Sequence, residues 1–383
     1  MNDRFKITAL LLFIIMVNLC LVGCGLREQA RETDGLLVVQ TMGLDPDRRG
    51  VLLSLASAGG ATPDSPPLRL QSAGSSITAA LEQIRAGANE EELFCAHIGH
   101  LLIGEAAARQ GIRPALDYVC RSGDLRLSVP LYILRSKSAR EAVLGAGDRS
   151  FGVCDALDSV DADLRVRGDG RCFTAADVLR DLERYGSALV CAVSLRPSAE
   201  EDRSAGAAER PETVVADGYA VLRDGVLCGF LDREQAVGVG FLTGHTGLCE
   251  LTVTDQAGLP VTLTLTGGSA ALEPRWDDGG RLASLGVHVE AEALLAEGAA
   301  GDTEYDYLER MLERALSERV RQVLQLSKQW EADFLGLEGR LERLSPQKMR
   351  ALDPDFAARW LSLPLTVSVS ARLAGTGDLE ARP

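Results

Sequence analysis

The chain has 383 residues, a hydrophobic content of 46%, a charged content of 25% and a formal net charge of −15 at pH 7. This composition is typical of a globular protein and excludes a mainly disordered one, and the length suffices for two or three domains. So acidic a chain argues against nucleic acid as a partner and against electrostatic attraction to anionic lipid.

The first 23 residues have the pattern of an export signal. Basic residues precede an apolar run over 7–22, which ends in Leu21-Val22-Gly23-Cys24. A small residue followed by cysteine at this point resembles the lipobox of bacterial lipoproteins, in which the leader is removed and the cysteine carries diacylglycerol. A transmembrane anchor and an ordinary signal peptide are the alternatives, but the run is short, contains Asn18, and lacks an A-x-A-like cleavage site.

We therefore predict that residues 1–23 are a lipoprotein signal peptide and that Cys24 is lipidated. Each buried methylene contributes about 0.8 kcal/mol, so several acyl chains bind stably where one binds marginally. No later apolar run approaches 18 residues, and nothing after the leader is predicted to cross a bilayer. Membrane attachment would rest on the lipid anchor.

Residues 24–195 are predicted to form an N-terminal α/β domain, because strand and helix patterns alternate along them. The turn at 45–50 contains proline and glycine and joins two strands into a hairpin. Apolar periodicity predicts the following elements in chain order: strands at 36–44 and 51–56, a helix at 76–86, a strand at 97–103, a helix at 106–120 and a strand at 127–134.

The composition changes over 196–217, which is rich in Ser, Ala, Glu and Arg and is predicted to be a linker or surface loop. Residues 218–383 are predicted to form a C-terminal domain, and 218–245 are alternatively part of a middle domain. Asp224-Gly225 between two apolar runs predicts a tight hairpin. The glycine-rich segment Gly238–Gly244 lacks the spacing of a phosphate loop and is interpreted as a flexible connection.

The last third alternates apolar and polar residues around 261–265, 285–291 and 365–371, the pattern of strands with one buried face, as in an antiparallel sheet. Between the last two lies a long helix, predicted over 303–334, with Asp302 or Thr303 as its N-cap. The predicted fold class is α+β, multi-domain, with mixed or antiparallel sheets and packed helices. In the C-terminal domain the long helix covers the antiparallel sheet.

The sequence offers no catalytic group of residues. Cys95, His97 and His100 are the only cluster of metal-type ligands, and in a strand Cys95 and His97 would face away from His100. We therefore predict no metal site, no cofactor and no enzymatic activity. Seven scattered cysteines follow Cys24 without a C-x-x-C pair, which is more typical of small buried side chains than of a disulfide framework.

Three separated segments resemble the Ger(x)C lipoproteins, the C subunits of nutrient germinant receptors of endospore-forming bacteria. The resembling segments are Phe94–Gln110, with His97 on the family's histidine; Asp217–Leu222 with Gly229–Gly238; and Trp330–Leu337 with Trp360, Pro364 and the last strand. The hairpin at Leu44-Asp45 also fits. The family commonly has Trp-Asp after its lipidated cysteine, whereas Gly25-Leu26 stand here.

The resemblance implies a non-enzymatic protein on the outer face of the spore inner membrane. It would assemble with two integral membrane subunits, A and B, and act as a scaffold or coupling component in nutrient-triggered germination. Direct binding of a small molecule is left open. The alternative is a lipid-anchored solute-binding protein of an importer, which predicts two similar lobes around a cleft.

Overall fold

A computed structural model describes residues 36–57, 68–87, 92–145, 152–168, 170–197, 212–298, 304–351 and 356–376. These residues form a ten-stranded sheet and a four-stranded sheet, each with packed helices, which confirms the predicted α+β class with mixed sheets.

The first sheet and its helices occupy the chain up to residue 243. In chain order the elements are β1 (Leu36–Asp47), β2 (Gly50–Ser57), β3 (Arg69–Gly74), α1 (Ile77–Gly87), β4 (Glu92–Phe94), β5 (His100–Gly104), α2 (Glu105–Gln110), α3 (Arg113–Arg121), β6 (Pro130–Leu134), α4 (Ala139–Gly145), α5 (Val153–Val166), β7 (Phe173–Thr174), α6 (Ala175–Tyr185), β8 (Ser187–Pro197), β9 (Glu212–Arg223), β10 (Val226–Leu231) and α7 (Arg233–Thr243).

The strand order is β10-β9-β8-β6-β5-β1-β2-β3, with β4 beside β1 and β7 beside β6. The central strands β8, β6, β5 and β1 run parallel to one another. Strands β2, β3, β9 and β10 flank them in antiparallel pairs. Since β5 is buried throughout, helices must cover both faces of this central part.

Two separate cores form on the two faces of the sheet. On the first face α1, α3 and α6 contribute buried residues such as Leu81, Leu116 and Val178. On the second face α4 and α5 contribute Val143 and Leu157. The two helix layers account for the apolar runs that the sequence shows at β5 and β6.

The second sheet has the order β11-β12-β13-β14. Its elements and helices are β11 (Cys249–Thr254), β12 (Pro260–Trp276), β13 (Leu282–Glu297), α8 (Tyr305–Gln329), α9 (Leu337–Leu344), α10 (Pro346–Ala351), α11 (Phe356–Ser362) and β14 (Leu365–Thr376). Strands β11, β12 and β13 are antiparallel, whereas β14 is parallel to β13. The last strand thus differs from the antiparallel expectation, because the α8 crossover returns the chain in the same direction.

Helix α8 covers the buried face of the second sheet, as predicted. Its buried side chains recur at helical spacing: Leu308, Leu312, Leu316, Val320, Val323, Leu324 and Ser327. The helix begins after Glu304, whose side chain makes no capping hydrogen bond. The predicted caps Asp302 and Thr303 lie outside the described residues.

Helix α8 also occupies the free edge of β14. The carboxylate of Glu309 accepts a hydrogen bond from the backbone N–H of Leu373 at 2.9 Å, and that of Glu313 accepts one from Ala371 at 3.2 Å. Arg321 donates to the carbonyl of Val367 at 3.3 Å. These side chains satisfy backbone groups that an open edge would offer to another strand.

Both ends of the segment predicted as a linker, 196–217, lie in paired strands. Residues 196–197 end β8 and 212–217 begin β9, which pairs with β8 in antiparallel register. The residues between them lie outside the described part of the chain. Strands β9 and β10 therefore belong to the first sheet, while the division of the chain into domains stays a prediction.

The interpretation of Gly238–Gly244 as a flexible connection is wrong. Residues up to Thr243 belong to α7, which is buried over most of its length, and Gly244 ends the helix in the left-handed conformation. Within the described ranges, none of the helices is both long and apolar enough to span a membrane.

Candidate functional site: the junction between the two sheets

The predicted lipidation site, Cys24, lies outside the described residues. Strand β1 begins 12 positions further on, at Leu36, where the parallel strands start. An extended chain covers at most about 3.6 Å per residue, so the start of β1 can lie no further than roughly 40 Å from Cys24. Lipidation of Cys24 stays a prediction.

The three candidate metal ligands lie in different surroundings. Cys95 is buried in the core of the first face, and His97 is exposed with its ring 5.3 Å from that of Phe94. His100 is 5% exposed, and its Nε2 lies 3.2 Å from the carboxylate of Asp158 on α5. Within the described part of the chain, no group of three His, Cys, Asp or Glu side chains could hold a metal ion.

A partly buried layer of polar side chains lies between the sheet and α5 around His100. Thr41 hydrogen-bonds Cys154 at 3.0 Å, and Cys172 donates to the hydroxyl of Tyr132 at 3.5 Å. Burial lowers the pKa of His100 and raises the pKa values of Cys154 and Tyr132, so these groups stay neutral near pH 7. Neutral groups without a converging ligand set indicate a packing role for this layer.

The segments that resemble the Ger(x)C family converge on the β9–β10 hairpin. Asp224 and Gly225 both have positive φ, at 54° and 83°, as a two-residue hairpin turn of this sequence requires. The start of α3 holds this turn: Ile112 donates its backbone N–H to the Gly225 carbonyl at 2.8 Å, and Arg113 donates to the Asp224 carbonyl at 3.0 Å.

A β-bulge shapes the beginning of this hairpin. Asp217 and Gly218 together oppose Ala192 of β8, where the register between the strands shifts. Gly218 has φ +80°, and a Cβ there would lie 2.1 Å from the carbonyl oxygen of Leu231. Only glycine fits a position that combines this conformation with so close an approach.

The bulge places Asp217 among cations at the carboxyl ends of β6 and β8. Its carboxylate, only 15% exposed, lies 3.6 Å from Arg135 and 4.0 Å from Arg196. The Arg135 guanidinium also lies 5.1 Å from the ring centroid of Phe230 in β10. These contacts attach the hairpin to the central parallel strands.

On its other side the hairpin receives the end of the long helix. A Cβ on Gly229 would lie 2.6 Å from the Trp330 ring, so the absence of a side chain at 229 allows the indole to pack on β10. Arg223 of β9 forms a 2.9 Å ion pair with Glu331 and donates to the Trp330 carbonyl. Residues about a hundred positions apart in sequence therefore join the two sheets.

Helix α7 forms the second part of this junction. Asp232 caps it, accepting a hydrogen bond from the backbone N–H of Gln235 at 2.8 Å, while the Gln235 side chain accepts one from the backbone of Asp232. Gly238 lies directly against α8 near Val323. The half-buried Arg340 of α9 donates to the carbonyls of Leu242, at the end of α7, and of Ala270, in β12.

Asp333 organises the turn between α8 and α9. Its two carboxylate oxygens accept hydrogen bonds from the backbone N–H groups of Leu337 and Glu338, at 2.8 and 2.9 Å. Burial raises the pKa of Asp333 to about 7, although these hydrogen bonds act in the opposite direction. The carboxyl that caps α9 is thus protonated in acid and charged in base.

We expect Asp333 to make stability depend on pH. An acid that binds its proton more tightly in the folded chain favours folding below its unfolded pKa, and this contribution is lost as the pH rises from about 4 to about 7. The difference between 3.8 and about 7 corresponds to about 4 kcal/mol. Since the Asp333 side chain is only half-buried in the folded chain, we expect a loss of about 2 kcal/mol. The free energy of unfolding, determined with denaturant at pH 4.5 and pH 8, measures this loss.

Asp333→Asn provides the matched control, because the amide is always neutral. Its free energy of unfolding should fall less between these pH values than that of the unchanged protein. Parallel pH profiles for the two proteins would contradict the assignment.

Part of this site is readable from the sequence. The resemblance singled out the segments of Asp217, Gly229 and Trp330, and Asp224-Gly225 was a readable turn signal. Arg340 and Asp333 were missed. An Asp shortly before an apolar helical pattern is a capping signal that could have found Asp333, whereas nothing local distinguishes Arg340 from the other arginines of its segment.

Comparison with known proteins now places the chain. The family model described as "Spore germination protein N-terminal domain" matches residues 29–143, and that described as "Spore germination B3/ GerAC like, C-terminal" matches residues 217–377. The fold and these segments define a spore germination protein. The chain belongs to the GerAC family, which confirms the resemblance seen in the sequence and supports a role in spore germination.

A solved structure has a similar fold. It is titled "Crystal Structure of the GerBC protein", and the match has a TM-score of 0.57 at 15% sequence identity, covering 87% of this chain and 96% of that chain. A search of curated proteins finds no significant match. The start of the second matched segment, residue 217, coincides with the bulge that begins the junction.

Proposed function

We propose that this protein is the lipid-anchored C subunit of a spore nutrient germinant receptor and serves as a scaffold or coupling component. The observation that carries the proposal is the junction, in which the segments resembling the family connect one sheet to the other. A component that transmits a change between membrane subunits needs such a connected body, and it needs no catalytic group.

The partners in this proposal are integral membrane A and B subunits, and the location is the outer face of the spore inner membrane. The lipid on Cys24 would hold the chain at the membrane. Co-purification of the full chain with its membrane neighbours from spores tests the assembly. Recovery with a nucleotide-binding importer subunit would instead favour a solute-binding protein, although the two sheets differ too much to form the similar lobes of that class.

Replacing the lipidated residue tests the anchor. In Cys24→Ala spores we expect the chain to lose its acyl label and nutrient-triggered germination to slow, because the lipid no longer holds the chain at the membrane. Metabolic labelling, fractionation and germination kinetics measure these effects. Cys20→Ala, which changes a leader cysteine outside the lipobox, is the matched control and should behave as the unchanged protein. Normal germination with an unlipidated, soluble Cys24→Ala chain would refute the anchor.

A further inference from the structure

A cavity of about 470 Å³ opens at the carboxyl ends of β1 and β5. The β1–β2 hairpin forms one wall, and α1, α2 and α3 form the others. Buried side chains form an apolar floor: Leu44, Ile77, Ile103, Ile112 and Ala115. The volume lies within the range of small-molecule sites, and the carboxyl ends of parallel strands are where open α/β sheets bind ligands.

The charges that line this cavity are already paired. The carboxylate of Asp45 accepts hydrogen bonds from the backbone N–H groups of Ala139 and Arg140 at 2.8 and 2.7 Å, and so caps α4. Asp117 and Arg121 form a 2.7 Å ion pair with each other. With its charges satisfied and its floor apolar, the cavity suits an uncharged ligand better than an ion.

Polar groups stand at the mouth of the cavity. Ser75, Ser76, Thr78 and Gln110 line it with hydroxyl and amide groups and are exposed. We propose that the cavity binds an uncharged, largely apolar small molecule that carries a hydroxyl or carbonyl group toward this mouth.

The cavity is connected to the junction through α3. Ile112 lines the cavity and also donates its backbone N–H to Gly225 in the β9–β10 turn. Gly111 also lines the cavity, and the position that a Cβ would occupy there faces the side chain of Val226 in β10. A ligand that contacts this segment therefore also stabilises the position of the hairpin. Binding in the cavity should consequently stabilise the junction.

Hydrogen exchange of the full chain, followed by mass spectrometry, tests the proposal with indole as an uncharged bicyclic probe. We expect indole to slow exchange in peptides covering α1, α3 and the β9–β10 turn. When the free ligand is at ten times its Kd, it lowers the population of the open, unliganded structure about tenfold. Hydrogen exchange that requires this opening is slowed by the same factor. Ala107→Phe, which places a ring in the cavity wall, should abolish the protection.

Ala176→Phe, a similar replacement of a half-buried alanine in α6 away from the cavity, is the matched control and should keep the protection. If Ala107→Phe fails to fold, Val51→Asp, which puts a charge in the apolar wall, takes its place. Three outcomes would overturn the proposal: no protection of the unchanged chain, equal protection of the cavity variant, or stronger protection by the anion indole-3-acetate than by indole.

Discussion

Replacing Gly218 with alanine should destabilise the folded protein by about 3 kcal/mol, because a left-handed conformation costs about 1–2 kcal/mol for an alanine and overpacking costs a similar amount again. The added Cβ would meet backbone atoms of Leu231 and Asp232, which cannot move without disturbing β10. Equilibrium unfolding in urea measures the change.

Gly244→Ala separates the two contributions. Gly244 has φ +76°, close to that of Gly218, but a Cβ there meets nothing within 4 Å. This variant should lose only the conformational part, about 1–2 kcal/mol. Equal losses for the two variants would show that the close approach of β9 to β10 is not important for stability.

The consequence for function follows from the position of the bulge. If the proposed coupling role is correct, a variant that folds with a disturbed bulge should also weaken the contacts of Asp217 with Arg135 and Arg196. Those contacts attach the hairpin to the parallel strands, while Trp330 attaches it to the rest of the chain. The hairpin would then transmit a conformational change from one sheet to the other less effectively.

Much of the fold could be predicted from local patterns. The β1–β2 hairpin, the turn at Asp224-Gly225 and the long helix over the second sheet are all present, since each depends on periodicity or turn chemistry within a few residues. The period-2 strands indicated correctly which faces are buried. Local patterns, however, do not indicate which strands become neighbours.

Strand pairing and the close approach of helices account for the differences between the predicted and the observed structure. Strand β14 has the same alternation as an antiparallel strand, and only the path of α8 makes it parallel to β13. Helix α7 was misread because glycines are poor helix formers, yet Gly238 lies where α8 comes close, and tertiary packing overrides propensity there. The contact of Trp330 with Gly229 depends on the whole fold and leaves no local signal.

The side chain of Arg340 is expected to have the second large effect. Burial lowers the pKa of this guanidinium, which indicates a cost that its hydrogen bonds to Leu242 and Ala270 must offset. Arg340→Met would leave the two carbonyls without this donor, and we expect a loss of about 2 kcal/mol in unfolding free energy. Since Leu242 lies in the last turn of α7, the removal of a cation from the negative end of that helix adds to the loss.

Arg343→Met is the control for this prediction. Arg343 lies one turn further along α9, is exposed, and its removal should change stability by less than about 0.5 kcal/mol. Arg340 connects α7, which belongs with the first sheet, to β12 of the second sheet. Its loss should therefore also speed hydrogen exchange in both α7 and β12. A loss of stability without faster exchange at both places would mean that Arg340 stabilises α9 alone, and that Trp330 and the β9–β10 hairpin hold the two sheets together.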